Sequence, residues 1–279
     1  MRGPYQWIWE SLPRSLRDRA EVEPASIRRF VENAARATPE GSVVLDAGAG
    51  DSRHRALYRH TRYVTLDSCK VDKAYAGIDV VARLEELPLA SGAIDAVLCT
   101  QVLEHVPDPL AVLKELNRAL WPHGTLWLTV PLLNEEHEMP QDFFRFTRFG
   151  LAQLLERAGF HVVLLEPRGG YFWQLGWQLR RLPSVLFPPT KRPLHRVLRW
   201  PLAFACWCTF GLLIPWILYP LDRFDSEKTA TLGFACQARK IRGVDFSYRE
   251  DVVADSNRAT APLLPRSSEP ALATTEEKE

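Results

Sequence analysis

Two carboxylates and a pair of glycines near the start of the chain have the types and spacing of a nucleoside site. Asp46 closes the apolar run Val43-Val44-Leu45, and Ala47-Gly48-Ala49-Gly50 follows as a side-chain-poor turn that lets backbone approach a ligand. Asp67 closes a second apolar run, Tyr63 to Leu66, seventeen residues after Gly50. In an open parallel sheet that is where a carboxylate accepts the two hydroxyls of a ribose. Arg53 stands where a dinucleotide fingerprint needs its third glycine, and no Gly-Lys-Ser or Gly-Lys-Thr follows. The turn therefore suits a nucleoside without pyrophosphate. A plain tight turn in another α/β fold, and an NAD-linked reductase sharing the strand-turn-acid layout, are the competing readings.

A second group could handle protons. Glu104, His105, His137 and Asp142 all fall after the fourth and fifth expected strands, where a base would take the proton of a hydroxyl acceptor. His105, His137 and Asp142 are the catalytic candidates. Each has a plainer alternative: His105 as a helix-start residue bonded to backbone, His137 in a solvated loop from Asn134 to Met139, and Asp142 paired with Arg145. No two histidines or carboxylates stand at helical ligand spacing with a third partner, so the spacing gives no metal site. Cys99 lies inside a strand and reads as core.

The elements that must position these groups alternate. Ser26 is expected to cap a helix with Ile27, Phe30, Val31, Ala34 and Ala35 on one face. The strand ending at Asp46 and the strand ending at Asp67 come next, then Ile94 to Cys99 as a central strand. Asp108-Pro109 opens a helix with a stripe of Leu110, Leu113, Leu116 and Leu120. Pro122-His123-Gly124 turns the chain into a strand from Thr125 to Val130. Thr147 caps a helix ending before Gly159, and His161 to Leu165 is a strand. Alternating strands and helices make a parallel sheet covered on both faces. Thr231 to Ala238 alternates and supplies a late antiparallel strand.

Between those last two strands lies an unusual insertion. Trp200 to Leu221 is twenty-two residues without a charge, about 33 Å as a helix, enough for a hydrocarbon core. A single crossing would strand the last strand away from its sheet. With Pro201, Gly211, Pro215 and Pro220, the stretch is expected to bend and to enter and leave on one side. From Pro167 to Leu221 there is no Asp or Glu, while Arg168, Arg180, Arg181, Lys191, Arg192, Arg196 and Arg199 give seven positive charges. Five of the nine tryptophans fall there too. Basic residues and tryptophans suit an anionic lipid interface, and burial against the domain or a second copy is the alternative.

Composition sets the outer bounds. A net charge of +1 provides no global field for nucleic acid. Five cysteines without paired Cys-x-x-Cys spacing, mostly in apolar runs, suit reduced thiols in the cytoplasm. Met1 to Glu10 lacks the apolar core of a secretory signal. The organisation expected is a lead-in or lid over 1–24, a catalytic domain over 25–169 and 230–241, a hydrophobic basic helical insertion over 170–229, and a largely disordered tail over 242–279.

The stretch from Val43 to Ser52 resembles motif I of the class I S-adenosylmethionine-dependent methyltransferases, with Ser52 at the place of a third glycine. Asp95, Gln101-Val102-Leu103-Glu104-His105-Val106, Leu116 to Leu120 and Pro122-His123-Gly124 are similar, in order and spacing, to the FDxV, LEHV and RxLxPGG series of its small-molecule members. Pro140 to Thr147 is similar to a segment of bacterial members near envelope-polysaccharide functions. The likeness covers about residues 26–166 and 230–240.

It implies a Rossmann-like, seven-stranded, mostly parallel α/β sheet with S-adenosylmethionine as cofactor. It also implies roles: Asp46, Ala47, Gly48, Ala49 and Gly50 at the methionyl end, Asp67 and Ser68 at the ribose, and Thr100 and Gln101 as the floor beneath the sulfonium. Leu84 would offer its backbone N–H to adenine. Arg83 stands where the family commonly has an adenine-binding aspartate, and Asp79 is a nearby carboxylate that a shift in register would bring in. A small or lipid-linked acceptor, methylated on oxygen by a protein lying peripherally or monotopically on the inner membrane face, fits the insertion. A scaffold that has lost its cofactor is the non-enzymatic reading.

Overall fold

A computed structural model describes residues 6–70, 75–188 and 193–241. The tail expected over 242–279 lies outside the described residues. Seven strands form one sheet: β1 (Val43–Ala47), β2 (Arg62–Asp67), β3 (Val80–Val81), β4 (Ile94–Thr100), β5 (Leu120–Pro131), β6 (Phe160–Pro167) and β7 (Gly233–Lys240). Their order is β3-β2-β1-β4-β5-β7-β6. β1 to β5 pair in parallel, and β7 runs antiparallel between β5 and β6. The chain moves outward from β1 to β3, then returns to the other side of β1 for β4. The carboxyl ends of β1 and β4 therefore flank a switch point, where an open sheet leaves a crevice.

Alternating strand residues divide the core. Val44, Ala96, Leu98 and Trp127 pack on one face with Val31, Ala34 and Ala35 of α3 (Val22–Ala37). Leu45, Val97, Cys99 and Leu128 pack on the other with Leu113 and Leu116 of α4 (Pro109–Ala119) and Leu151 and Leu155 of α5 (Arg148–Arg157). Each end signal has its physical contact. Asp108 accepts the Ala111 N–H at 3.0 Å, and Thr147 accepts that of Gly150 at 3.1 Å.

Several local expectations are corrected. The helix expected to start at Ser26 begins at Val22, and Ser26 instead donates its hydroxyl to the Glu23 carbonyl inside α3. The lead-in, for which no elements were expected, forms α1 (Gln6–Ser11) and α2 (Arg14–Ala20). Leu120 belongs to β5 rather than to the α4 stripe, where Val112 takes part. Pro122-His123-Gly124 forms a wide bulge within β5: Leu120 pairs with Ile94 and Thr125 with Ala96. A Cβ on Gly124 would meet the Asp95 carbonyl oxygen at 3.0 Å, so the bulge needs glycine. Two-residue β3 had no periodicity to announce it.

The insertion leaves the sheet from β6 and returns to β7. It contains α6 (Tyr171–Leu179), α7 (Leu182–Leu186), α8 (Pro193–Cys206), a π-helical stretch Trp207–Leu213, and α9 (Ile214–Leu221). α6 packs on α9 and α7 on the π stretch, so the two arms lie together as a helical hairpin. The return arm is one helical run without a sharp break, and the wider π turns take up the sequence between Pro201 and Pro215. At the hairpin base, the buried Asp222 carboxylate accepts the N–H groups of Gly170 and Trp173, capping α6. Trp216 donates its ring N–H to the Leu16 carbonyl at 2.9 Å, which seats α9 on α2.

Three of the seven basic residues counted toward a lipid surface are already paired with acids outside the insertion. Arg168 is buried against Glu23 at 3.2 Å, Arg180 pairs with Glu21 at 2.7 Å, and Arg181 pairs with Glu135. They fasten the insertion. Arg199 donates to the Leu186 carbonyl within the hairpin.

Removing one partner of the buried Arg168–Glu23 pair leaves the other uncompensated. Glu23→Ala is expected to cost about 3 kcal/mol in urea unfolding, and Glu23→Ala with Arg168→Met to cost less than the single change.

Candidate active site

The turn after β1 is held from below and from the side. The Gly48 and Ala49 N–H groups both donate to the Leu66 carbonyl at the end of β2, at 2.8 and 3.1 Å. Gly48 sits at φ +80°, and a Cβ there would lie 2.5 Å from Val102. Gly50 sits at φ +57° with nothing within 4 Å of an added Cβ. One glycine is thus required by packing, and the other opens onto free space.

Asp67 joins the turn to its neighbour. One carboxylate oxygen accepts the Gly50 N–H at 2.9 Å, and the other accepts the Cys69 N–H at 2.9 Å. Each oxygen keeps a further lone pair, so a ribose diol can still be accepted. Ser52, at φ +54°, donates to the Ala76 carbonyl at 2.6 Å and ties the turn to the chain before β3. Arg53 pairs with Asp51 on the surface. Ser68 follows Asp67 at the rim, half-buried, and Leu84 is in the core. Arg83 is exposed and pairs with Glu85. Asp79 is committed to Arg55 at 2.6 Å and to the Thr65 N–H at 2.9 Å, so it anchors β2.

Asp46 is 2% exposed and accepts the Tyr63 hydroxyl. Burial raises its pKa to about 6, with the Tyr63 hydrogen bond opposing and Asp67 adding repulsion. Tyr63, stacked on Tyr58 at 4.9 Å, was not singled out in the sequence. The pairing comes from parallel register, which only the folded sheet shows: Val44 pairs with Tyr63 and Asp46 with Thr65, which places the phenol two residues from the acid.

At the end of β4, Thr100 is half-buried. Gln101 follows in the left-handed region at φ +53°. Its N–H donates to the Thr129 carbonyl at 2.9 Å, and its side chain donates to the Thr129 hydroxyl at 3.2 Å. A 3₁₀ turn, Leu103–His105, comes next.

Here the structure assembles residues that are far apart in the chain. The Glu104 carbonyl accepts the N–H groups of Phe143 and Phe144, stitching the loop after β5 onto this turn. His105 and His137 then face each other, Nε2 to Nε2 at 3.1 Å. Asp142 accepts the His137 N–H at 2.8 Å and holds Arg145 through both oxygens, at 2.7 and 2.8 Å. Arg145 keeps the Asp142 pKa down at about 2, and itself donates to the Asn134 and Glu135 carbonyls. The loop around His137 is therefore braced. Asp142 acts as the brace, with its lone pairs turned to Arg145 and backbone, while the two histidines direct their Nε2 atoms at each other. The Glu104 side chain is fully buried, and burial raises its pKa to about 8.

Residues 17–165 match the sequence family described as "Methyltransferase domain". The chain is 34% identical over 174 residues to the ubiquinone biosynthesis O-methyltransferase of Xanthomonas axonopodis pv. citri, covering 56% of this chain and 70% of that protein. It is 36% identical over 109 residues to the enzyme of the same name from Xanthomonas campestris pv. campestris, covering 34% of this chain and 46% of that one. The chain thus spans about half the length of several curated relatives it matches. Among solved structures, the 4+2 cyclase SpnF shares the fold, at TM-score 0.52 and 20% identity over 78% of this chain and 82% of that one.

Two outcomes follow from the geometry. Gly48→Ala meets both the Val102 clash and the φ penalty and is expected to cost about 3 kcal/mol, against about 1 kcal/mol for Gly50→Ala, measured by urea unfolding. For Asp46, folding raises the pKa, so the folded chain binds the extra proton between about pH 4 and 6. Its contribution to stability is full below pH 4 and is lost as pH rises through 6, about 3 kcal/mol at most. Asp46→Asn should flatten that part of the stability profile.

Proposed function

We propose, from the premise that this chain belongs to the class I S-adenosylmethionine-dependent methyltransferases, that it transfers the sulfonium methyl of S-adenosylmethionine to a hydroxyl of a small or lipid-linked acceptor at the inner membrane face. The observation that carries the donor half is the turn at Gly50: open space above a positive-φ glycine, beside an Asp67 carboxylate with lone pairs to spare. These residues fit a phosphate-free nucleoside. Gly50 allows close backbone approach, Asp67 receives the ribose, and Gln101 holds the end of β4 against β5.

Bound S-adenosylmethionine supplies an electrophilic methyl. The acceptor oxygen forms a bond to that carbon, the carbon–sulfur bond breaks with its electron pair going to sulfur, and the acceptor proton passes to a histidine nitrogen or to solvent water. Placing the acceptor in line is the main work left to the protein. The Glu104–His105–His137 group supports a hydroxyl acceptor, since it gathers proton-accepting atoms next to the β4 end. The relatives named O-methyltransferases support the same choice.

The membrane half of the proposal rests on the hairpin. The helix Arg199–Phe224 is long and apolar enough to cross a membrane by length and composition, and 17% of its apolar window is buried. Trp200, Leu202, Leu213 and Ile217 present exposed apolar surface. Since α9 is seated on α2 and α6, a surface-lying hairpin keeps β7 in the sheet, whereas a crossing would tear it away.

Calorimetry with S-adenosylhomocysteine tests the donor half: micromolar binding is expected, with Gly50→Ala weakening it at least about tenfold, since the added methyl occupies ligand space at small cost in stability. A folded chain that binds none would refute the assignment. Flotation with anionic liposomes tests the membrane half. The chain should float and Leu202→Asp/Leu213→Asp should not; wild-type protein recovered wholly in the soluble fraction would refute it.

A further inference from the structure

The geometry points to a divalent-cation site formed by Glu104 carboxylate, His105 Nε2 and His137 Nε2, poised to hold the acceptor oxygen. This inference rests on the methyltransferase reading for its role, and on the side chains alone for its existence. The three ligand atoms lie within 4.8 Å of one another.

Hydrogen bonds on the far side of each ring set the proton positions. His105 Nδ1 is 2.6 Å from the Gln141 carbonyl oxygen, and His137 Nδ1 is 3.1 Å from that of Glu135. A carbonyl only accepts, so both Nδ1 atoms carry hydrogen. Both neutral rings then turn bare Nε2 lone pairs toward each other at 3.1 Å. Two facing lone pairs repel unless a positive centre lies between them. Backbone carbonyls fixing the remote nitrogen are the usual support for histidines bound to metal. The separation matches two nitrogens each about 2.1 Å from one ion.

Glu104 supplies the independent observation. Its side chain is fully buried, and neither carboxylate oxygen has a hydrogen-bond partner in another residue. One oxygen lies 3.9 Å from His105 Nε2. A buried carboxyl without a partner is costly in either protonation state, and a cation between it and the histidines removes that cost. Arg168 and Arg145 act on Glu104 only through space, since their guanidinium groups are hydrogen-bonded to Glu23 and Asp142, and their attraction is outweighed by the effect of burial.

Two histidines and one carboxylate leave coordination positions open. An acceptor hydroxyl bound there loses its proton to water more readily, because the cation stabilises the alkoxide or phenolate. The oxygen then attacks the methyl carbon as above. This removes the need for a protein base and leaves His105 and His137 as ligands.

The competing arrangement is a proton in place of the ion, with His137 doubly protonated. The two are separated on the full chain, stripped with chelator and titrated with Co²⁺ by equilibrium dialysis and visible absorption. One equivalent is expected, with d–d bands and no near-ultraviolet thiolate charge transfer, which excludes the cysteines. His137→Ala and Glu104→Gln, each checked for folding by circular dichroism, should weaken binding at least about tenfold. Absence of stoichiometric binding, a thiolate band, or equal affinity in folded His137→Ala would overturn the site, as would an imidazolium His137 persisting by NMR with Co²⁺ present. S-adenosylhomocysteine calorimetry on the same stripped protein reports separately on the methyltransferase reading.

Discussion

One hydrogen bond, from the Gly50 N–H to the Asp67 carboxylate, joins the turn after β1 to the end of β2, and the crevice takes its shape from that link. The bond can form only because Gly48 passes under Val102 without a side chain and Gly50 enters a backbone region that other residues avoid. Val102 in turn follows Gln101, whose own left-handed backbone is fixed by Thr129. The ends of β1, β2, β4 and β5 are thus coupled through a few backbone groups. Asp46, buried with its Tyr63 partner, sits behind this arrangement and stiffens it at some electrostatic cost.

Much of this was legible in the sequence, because each feature has a local cause. Glycines at set intervals, an acid at the end of an apolar run, and Asp108 or Thr147 before a helix act through contacts within a few residues, so type and spacing suffice. Both strand ends and the antiparallel last strand could be read that way. The pairs Tyr63–Asp46 and Arg168–Glu23 could not, because strand register and packing set them across 17 and 145 residues. Ser26 misled for a related reason: it directly precedes the apolar stripe that starts at Ile27 and so has the look of a cap, yet Val22 and Ala25 before it are buried and extend the helix.

The insertion shows how a count of charges differs from a map of them. Arg168, Arg180 and Arg181 look like part of a basic face in the sequence, yet each finds an acid from α3, its approach, or the β5 loop. These pairs tie the chain around the hairpin base to those elements. Arg181 and Gln174 also reach the segment Leu133 to Glu135, two residues from His137. The apolar hairpin and the histidine loop are therefore mechanically continuous.

Fold alone does not choose the reaction, since a protein named as a cyclase shares this sheet at 20% identity. Side chains after the fourth and fifth strands distinguish one such sheet from another, and in this chain they include two histidines whose Nδ1 atoms meet backbone carbonyls and a buried glutamate with no hydrogen-bond partner in another residue. Polar groups are ordinarily buried only when satisfied. The Asp142–Arg145 brace holds the His137 loop against that tendency, keeping the histidines together where a looser loop would let them separate into water. The Asp142–Arg145 pair therefore stabilises the loop that keeps the His105 and His137 rings in contact beside the buried Glu104 carboxyl.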